Sequence, residues 1–288
     1  MESRRIVEVL MNRAFADYRV RCTVRSSLMA GTIAIISAAL LGFNLIYATL
    51  IFLLSLLLLL PAHGMDAWRF SLQSSLLGYV FVYSFAYACK TPDQLFGIFG
   101  RYLVCFSSFH FMEFMITAVT SPETLCHSSY LLDHSVTYWI AATGSWVEFF
   151  VECYLIPGIK IMPISYLGLV MICVGEMFRK LAMLHARGGF THIVAQRKVK
   201  THVLITDGVY GMVRHPGYVG WFLWCVGTQV LLCNPICAII YTIAAWAFFR
   251  DRIPDEERLL IEFFGQAYRR YQQTVPLGIP FIRGFDEY

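Results

Sequence analysis

The chain has 288 residues, of which 58% are hydrophobic and only 15% are charged, and its mean hydropathy is +0.59. Because soluble domains carry about a quarter charged residues, these values exclude an ordinary water-soluble protein. The net charge of +4 gives no support to nucleic-acid binding, since the basic residues lie between apolar blocks, where they set membrane orientation. The composition therefore predicts an all-α polytopic membrane protein.

The apolar residues form blocks that predict about eight transmembrane helices. The predicted spans cover residues 27–42, 45–60, 70–88, 95–119, 136–156, 164–184, 218–233 and 236–249. The last two are short for a bilayer, which needs about twenty helical residues, so this hairpin is expected to leave room for a pocket below the interface. Without an internal repeat or a low-complexity linker, the chain is predicted to form one domain over residues 1–288.

Arginines concentrated in residues 1–25 predict a cytosolic N-terminus. The apolar segment that follows them lacks a convincing cleavage site and is interpreted as a signal anchor. An even number of spans then places the C-terminus in the cytosol as well.

Nine cysteines are present, most of them inside apolar segments, where a thiol behaves as a small hydrophobic side chain. Cys233 and Cys237 flank an Asn-Pro turn without the further Cys or His ligands that a metal site needs. Packing is the expected role, and no metal is predicted.

Three glutamates lie within the predicted fifth and sixth spans, where an ionisable side chain is costly unless it faces the protein interior. Glu148 and Glu152 lie four residues apart and therefore on one helical face. We expect both to form interhelical hydrogen bonds rather than a binding site. For Glu176, close to a basic connection, both roles remain open.

That basic connection covers residues 179–215 and is predicted to be cytosolic. Connections of this length are usually functional or disordered. Residues 202–210 combine a short β-like apolar run with an Asp-Gly turn, which favours an ordered segment.

Residues 214–221, RHPGYVGW, stand where this connection enters the seventh span. Pro216 suits the first turn of a helix, whose first backbone N–H groups have no partner within the helix. That helix would direct the positive end of its dipole toward the polar connection. Arg, His and Tyr at such an end suit an anionic, aromatic small molecule, although an aqueous helix cap with an aromatic belt is an equal alternative.

Beyond the last span, Pro254 is predicted to begin an amphipathic helix with acidic residues in its first turn. Its apolar side comprises Leu259, Leu260, Phe263, Phe264 and Tyr271. An interfacial helix explains this pattern in part. Arg250, Arg252, Glu256 and Glu257, however, would lie at the membrane depth of His215. Charges of both signs at this depth are more than membrane orientation alone requires.

Several segments together resemble the isoprenylcysteine carboxyl methyltransferase family. They are His202-Val203-Leu204, Gly208-Val209-Tyr210, residues 214–221, Cys233-Asn234-Pro235-Ile236 and residues 248–257. The Arg-His-Pro-x-Tyr element alone is shared with phospholipid methyltransferases and some membrane sterol reductases. Together with the Asn-Pro hairpin and the Arg-x-x-x-Glu-Glu segment it is specific, and the eight-span layout is similar to the animal enzymes.

The resemblance implies S-adenosyl-L-methionine as methyl donor and residence in the endoplasmic reticulum membrane. The implied acceptor is the C-terminal carboxylate of prenylated cysteine in CaaX-processed proteins, such as Ras- and Rho-like proteins; the products are a methyl ester and S-adenosylhomocysteine. It also divides the chain into N-terminal spans at 26–184 and a cofactor-binding and catalytic portion at 185–288.

Residue by residue, the resemblance implies a cofactor site and a substrate contact. The cofactor-binding residues are Gln196, His202, Val203, Leu204, Ile205, Tyr210, His215, Pro216, Gly217, Tyr218 and Glu256. Arg252 is expected to bind the substrate carboxylate, and Arg252 and Glu256 are the catalytic residues.

The chemistry agrees with these residue types. A C-terminal carboxyl has a pKa of about 3.5, so the nucleophile is already ionised and needs no general base. Arg252 can orient it through a forked hydrogen bond, and Glu256 can accept hydrogen bonds from the donor. Tyr218 and Trp221 are expected to enclose the adenine.

Three other functions remain open from the sequence. A phospholipid amine N-methyltransferase would need a base and no Arg252. A membrane sterol reductase would need a further phosphate clamp. A lipid transporter would explain the glutamates within the spans but not the Arg, His, Tyr and Glu residues gathered on one side.

Overall fold

The computed structural model describes residues 2–41, 44–59, 67–91, 93–132, 135–189 and 203–285. Within these ranges the protein is helical and contains no β-strand. The helices are α1 Glu2–Ala16, α2 Tyr18–Leu41, α3 Leu45–Leu59, α4 Trp68–Lys90, α5 Gln94–Thr120, α6 Val136–Leu155, α7 Met162–Ala186, α8 Pro216–Leu232, α9 Pro235–Phe264 and α10 Gln266–Thr274. The all-α prediction is confirmed.

Each predicted span corresponds to one of the helices α2 to α9. Among the described residues, two segments are both long and apolar enough to cross a bilayer, Tyr18–Leu40 and Gln94–Thr120. The count of eight spans therefore stays a prediction. The prediction of a β-like run in the basic connection was wrong for residues 203–206, which have no regular secondary structure. The predicted Asp-Gly turn is confirmed, because Asp207 precedes the 3-10 helix Gly208–Gly211.

Contacts divide the chain into two compact units, Met1–Ala142 and Thr143–Tyr288. Helix α6 begins in the first unit and ends in the second. The prediction of one domain is not tested by this division and stays a prediction.

In the first unit, α4 packs against both α2 and α5. Gly78 permits a close approach to α2, since a Cβ atom there would lie 2.6 Å from the carbonyl oxygen of Ser27. Buried Tyr130 ties the loop after α5 to this core, because its hydroxyl lies 2.6 Å from Thr23 Oγ1. His110 of α5 binds the same loop through Nδ1, 2.7 Å from Tyr130 O. These contacts give the polar residues of the first unit a packing role.

In the second unit, α7 and α8 pack closely along a row of glycines. A Cβ atom on Gly175 would lie 2.6 Å from Gly220 O, and one on Gly168 would lie 2.1 Å from Leu231 N. Backbone atoms cannot move aside as a side chain can, so these positions require glycine. The result is a tight helix pair that fixes the direction of α8.

The α8–α9 turn is capped at both helix ends by side chains of α6 and the loop after it. The ammonium of Lys160 donates to Leu232 O at 3.1 Å and to Cys233 O at 3.2 Å, at the C-terminus of α8. Glu148 accepts hydrogen bonds of 2.8 and 2.7 Å from the first N–H groups of α9, those of Ile236 and Cys237. Each charge matches the helix dipole end that it meets.

A buried ion pair completes this cap. Lys160 Nζ lies 2.6 Å from Glu152 Oε2 and 2.9 Å from Asn234 Oδ1, and the Lys160 side chain is 0% exposed. Glu148 thus makes the interhelical hydrogen bonds predicted for it, whereas Glu152 pairs with Lys160 in the loop after its own helix. Glu176 pairs with Lys180 on its own helix, at 3.6 Å.

Pro254 does not begin a new helix, and that prediction was wrong. It lies inside α9, which continues from Pro235 to Phe264. A proline inside a helix loses one backbone hydrogen bond and crowds the preceding turn. Burial of Phe249, Ile253 and Glu257 on the same helix holds the chain in the helical path across this site.

Residues 275–285 cross back over the start of α8. Leu277, Ile279 and Ile282 are buried against Phe249 and Ile253 of α9. Gly278 has φ +113, and a Cβ atom there would lie 2.6 Å from Val219 Cγ2, so the crossing needs glycine at its closest point. We call residues 275–285 the closing segment.

Candidate functional site

The site is built on the first turn of α8. Pro216 is the first helical residue and His215 precedes it, as the sequence predicted. The closing segment pairs with this turn through two backbone hydrogen bonds, from Arg214 N to Pro276 O at 2.9 Å and from His215 N to Leu277 O at 3.3 Å. The start of the helix is thus stabilised by backbone acceptors that lie 62 positions later in the chain.

Tyr218 joins the two residues that the sequence assigned to catalysis. Its hydroxyl donates to Glu256 Oε2 and accepts a hydrogen bond of 2.8 Å from Arg252 Nε. The guanidinium also lies over aromatic rings, with Cζ 5.6 Å from the centroid of Tyr218 and 5.7 Å from that of Phe248. These contacts fix the guanidinium against an aromatic wall.

Glu257 follows Glu256 on α9, and its side chain is 0% exposed. Its Oε1 accepts from Arg214 Nε at 2.7 Å and lies 3.1 Å from His215 Nε2. Burial alone would raise the pKa of this carboxyl, but the hydrogen bonds and charges of His215 and Arg214 outweigh burial and lower it to about 2. Glu257 is therefore an anion that anchors the two residues immediately before α8.

A cavity of about 170 Å³ opens beside these residues. It is lined by Ala186, Gly189, Val203, Leu204, Ile205, Tyr210, Arg214, His215, Pro216, Gly217, Tyr218, Glu256, Leu259, Leu260, Phe263, Phe264, Tyr268 and Tyr271. Burial raises the pKa of Tyr210 above its usual range, and Glu256 adds to the effect. Burial likewise raises the pKa of Tyr271, to about 12, so both phenols line the cavity as neutral hydroxyls.

Every predicted cofactor residue within the described ranges lines this one cavity. They are Val203, Leu204, Ile205, Tyr210, His215, Pro216, Gly217, Tyr218 and Glu256. Gln196 and His202 lie outside the described residues. Arg252 does not line the cavity itself but donates a hydrogen bond to the hydroxyl of Tyr218, which does. The sequence prediction thus describes a set of residues that do meet in space.

Two features of the site were not predicted. The apolar residues of α9 after Glu256, interpreted as a membrane-facing side, contribute Leu259, Leu260 and Phe263 to the cavity. Their spacing of three, four and seven residues from Glu256 places them on its helical face, and that signal was present in the sequence. The role of Glu257 was also missed, because its partners lie up to 43 positions away.

Trp221 occupies a different place from the one expected for an adenine contact. Its ring packs edge-to-face on Phe249 at 5.6 Å and lies 6.4 Å from Phe248. In the described chain it belongs to the apolar cluster under the closing segment.

Comparison with known proteins identifies the fold and its class. A solved structure of the eukaryotic intramembrane Ras methyltransferase ICMT (isoprenylcysteine carboxyl methyltransferase) superposes with a TM-score of 0.87. The two chains are 38% identical, and the match covers 93% of this chain and 98% of that one. A helical fold with a charged and aromatic cavity in its second unit is therefore that of an intramembrane methyltransferase.

Sequence comparison gives the family. The model of the isoprenylcysteine carboxyl methyltransferase (ICMT) family matches residues 167–262. Protein-S-isoprenylcysteine O-methyltransferase of Xenopus laevis is 44% identical over 232 residues, which is 79% of this chain and 78% of the relative. The enzyme of that name from Homo sapiens is also 44% identical over 232 residues, 79% of this chain and 80% of the relative. The chain belongs to the isoprenylcysteine carboxyl methyltransferase family.

Family membership resolves the alternatives that the sequence left open. The chain is an enzyme, and the reaction of its family is methylation of the carboxyl group of prenylated cysteine. A phospholipid amine methyltransferase, a sterol reductase and a lipid transporter are set aside.

Proposed function

We propose that the cavity beside the α8 start binds S-adenosyl-L-methionine and that Arg252 holds the carboxylate of the prenylated cysteine. The observation that carries this proposal is the convergence of all described cofactor candidates on one cavity next to Arg252. Residues 203 and 256 are far apart in sequence, so their meeting does not follow from local structure.

The lining suits the parts of the proposed donor. Aromatic side chains such as Tyr210, Tyr218 and Phe263 offer faces for a purine and for a cationic sulfonium. Glu256 offers a carboxylate to hydroxyl or ammonium groups. The positive end of the α8 dipole favours the donor's own carboxylate. These complementarities support a zwitterionic, aromatic ligand.

S-adenosyl-L-methionine, when bound, supplies an electrophilic methyl group on a sulfonium sulfur. A carboxylate oxygen of the acceptor, held by Arg252, would form the new bond to that methyl carbon while the carbon–sulfur bond breaks, which would leave a methyl ester and a thioether. No proton is transferred, because the acceptor carboxyl, with a pKa of about 3.5, is already ionised at neutral pH.

Position is what the protein must supply, and it can recover on the order of 7–11 kcal/mol of the barrier when the reactants are well held. Arg252 serves this purpose because its fork of N–H donors matches a carboxylate, and because the Tyr218 hydroxyl fixes its Nε edge. Glu256 fixes Tyr218 in turn. Exclusion of water from the cavity keeps the attacking carboxylate poorly hydrated.

A prenyl acceptor explains why the enzyme is intramembrane. Burial is worth about 0.8 kcal/mol per CH₂ group, so a chain of about fifteen carbons resides in the bilayer rather than in water. We propose that the acceptor enters sideways between helices, that the enzyme crosses the endoplasmic reticulum membrane about eight times with both termini cytosolic, and that its partners are Ras- and Rho-like and other CaaX proteins.

The test is a methyl-transfer assay with radiolabelled S-adenosyl-L-methionine and purified full-length protein in nanodiscs. N-acetyl-S-farnesylcysteine is expected to be labelled, whereas phosphatidylethanolamine in the same nanodiscs is not. Calorimetry should detect binding of S-adenosylhomocysteine, and His215→Ala and Tyr210→Phe should weaken it. Full-affinity binding by both variants would overturn the cavity assignment.

A further inference from the structure

Two neighbouring glutamates of α9 meet different surroundings. Glu256 lines the cavity, whereas Glu257 lies behind the cavity wall and is fully buried. Adjacent residues of an α-helix point about 100° apart, so the helix separates the two carboxylates without any distortion. A second carboxylate, buried one layer from the reacting groups, is costly unless it has a defined set of partners.

Those partners come from the two residues before α8, from α10 and from the closing segment. Glu257 Oε1 accepts hydrogen bonds from Arg214 Nε, from His215 Nε2 and from the Tyr268 hydroxyl, the last at 3.1 Å. Glu257 Oε2 accepts hydrogen bonds from Gln272 Nε2 and from the backbone N–H of Phe285, each at 3.0 Å. Five donors on two oxygens, one of them an arginine, stabilise the ionised form.

An ionised carboxylate only accepts hydrogen bonds, so the contact with Glu257 requires a hydrogen on His215 Nε2. The other ring nitrogen, Nδ1, is therefore directed away from the carboxylate. His215 also lines the cavity, so its contact with Glu257 determines which edge of the ring the cavity receives. The orientation of the ring is fixed as well, since it stacks on Tyr218 at 5.4 Å with an interplanar angle of 7°.

We propose that Glu257 is a positioning residue for methyl transfer: its carboxylate sets the orientation of His215 and thereby the cavity wall that receives the methyl donor. This proposal rests on the donor site proposed above. It assigns to Glu257 an indirect role, exerted through His215, and distinguishes it from Glu256, which faces the cavity itself.

The proposal is tested by a double-mutant cycle on the full-length protein in nanodiscs, with calorimetric affinity for S-adenosylhomocysteine as the readout. The variants are Glu257→Gln, His215→Ala and their combination. Glu257→Gln keeps the shape but not the charge, and we expect it to weaken binding about tenfold. In the His215→Ala background the same change should cost less than about twofold, because its effect passes through the missing imidazole.

Glu262→Gln is the matched control, since it makes the same chemical change on an exposed position of α9. It should leave the affinity unchanged. If Glu257→Gln does not give a monodisperse protein, Glu257→Asp, which keeps the charge, takes its place in the cycle with a smaller expected loss and the same non-additivity.

The outcomes separate this proposal from the one that it rests on. Absence of binding by the unmodified protein would overturn the donor site. Normal binding by the unmodified protein together with equal losses in both backgrounds would overturn the positioning role alone, because Glu257 would then act only as a structural anchor. Full affinity in the Glu257 variant would overturn it as well.

Discussion

Arg252 combines three contacts that a lysine cannot reproduce. Its Nε donates to the Tyr218 hydroxyl, and its planar group lies over two aromatic rings. A lysine keeps the positive charge but has neither the fork of donors nor the flat face. The proposed contribution of Arg252 to carboxylate binding is therefore geometric as well as electrostatic.

We expect Arg252→Lys to lower kcat/KM for a prenylcysteine acceptor by on the order of tenfold or more, because it loses charge-assisted hydrogen bonds in a fixed geometry. Steady-state methylation kinetics measure this. Arg250→Lys is the control: Arg250 lies half a turn away, 55% exposed, and should tolerate the change. Unchanged turnover by the Arg252 variant would remove the carboxylate-clamp role.

The buried charge of Glu257 also makes stability depend on pH. Its pKa is about 2 in the folded protein, against an ordinary value of 4.5. A lowered pKa contributes stability that is complete above the unfolded value and is lost as the pH falls toward the folded one. The contribution is on the order of 3 kcal/mol, since one pKa unit corresponds to about 1.4 kcal/mol.

We therefore expect the melting temperature of the detergent-solubilised protein to fall steeply between about pH 4.5 and pH 2. Glu257→Gln should start from a lower melting temperature at pH 7 and lose less of it on acidification. Thermal unfolding followed by intrinsic fluorescence measures both curves. Parallel curves for the two proteins would contradict the assigned shift.

At the scale of the helices, the α7–α8 contact determines the position of the cavity residues at the start of α8. Gly175 and Gly220 meet backbone to backbone, and α8 carries the cavity residues at its first turn. A displacement of α8 would therefore move His215 and Tyr218 together. The packing of α7 against α8 is therefore coupled to the polar site at the first turn of α8.

We expect Gly175→Ala to destabilise the protein by about 1–3 kcal/mol, because the added methyl meets Gly220 O and Trp224 N, which are backbone atoms. Gly144→Ala on α6 is the matched control, since nothing lies within 4 Å of its Cβ position. Replacing a helical glycine there should stabilise by up to about 1 kcal/mol. Denaturation midpoints in detergent measure the pair; equal midpoints would contradict the close contact.

The capped α8–α9 turn gives a second prediction for the helices. Lys160→Met leaves the Glu152 carboxylate and two helix-end carbonyls without their cation, and we expect a loss of about 3–5 kcal/mol. Adding Glu152→Gln to Lys160→Met should recover part of this loss. Thermal stability of the two variants measures the difference, and an additive penalty would show that the pair is not coupled.

For the molecule as a whole, local signals predicted the elements well and the long-range partners poorly. The span at 95–119 and helix Gln94–Thr120 agree closely, because an uninterrupted apolar run has few alternatives. Pro216 marked the start of α8 for the reason that proline suits a first turn. The same rule failed at Pro254, where burial of the residues on either side outweighs one lost hydrogen bond.

The residues of the site likewise fall into those that the sequence predicted and those that it did not. His215, Tyr218 and Glu256 could be predicted because a family pattern marks them, and the structure brings them to one cavity. Lys160 and the closing segment carry no periodic signal, and their importance comes from partners 72 and 61 positions away. Such pairings depend on the folded arrangement of helices, which one sequence does not reveal.

The closing segment has a consequence for biosynthesis. Residues 275–285 are translated after both helices of the final hairpin, yet they supply the backbone acceptors for Arg214 and His215 and a donor for Glu257. Without these residues Glu257 keeps four of its five donors, but the backbone N–H groups of Arg214 and His215 have no acceptor from this segment. The residues that begin α8 thus obtain their last backbone partners from a segment made after the helices around them.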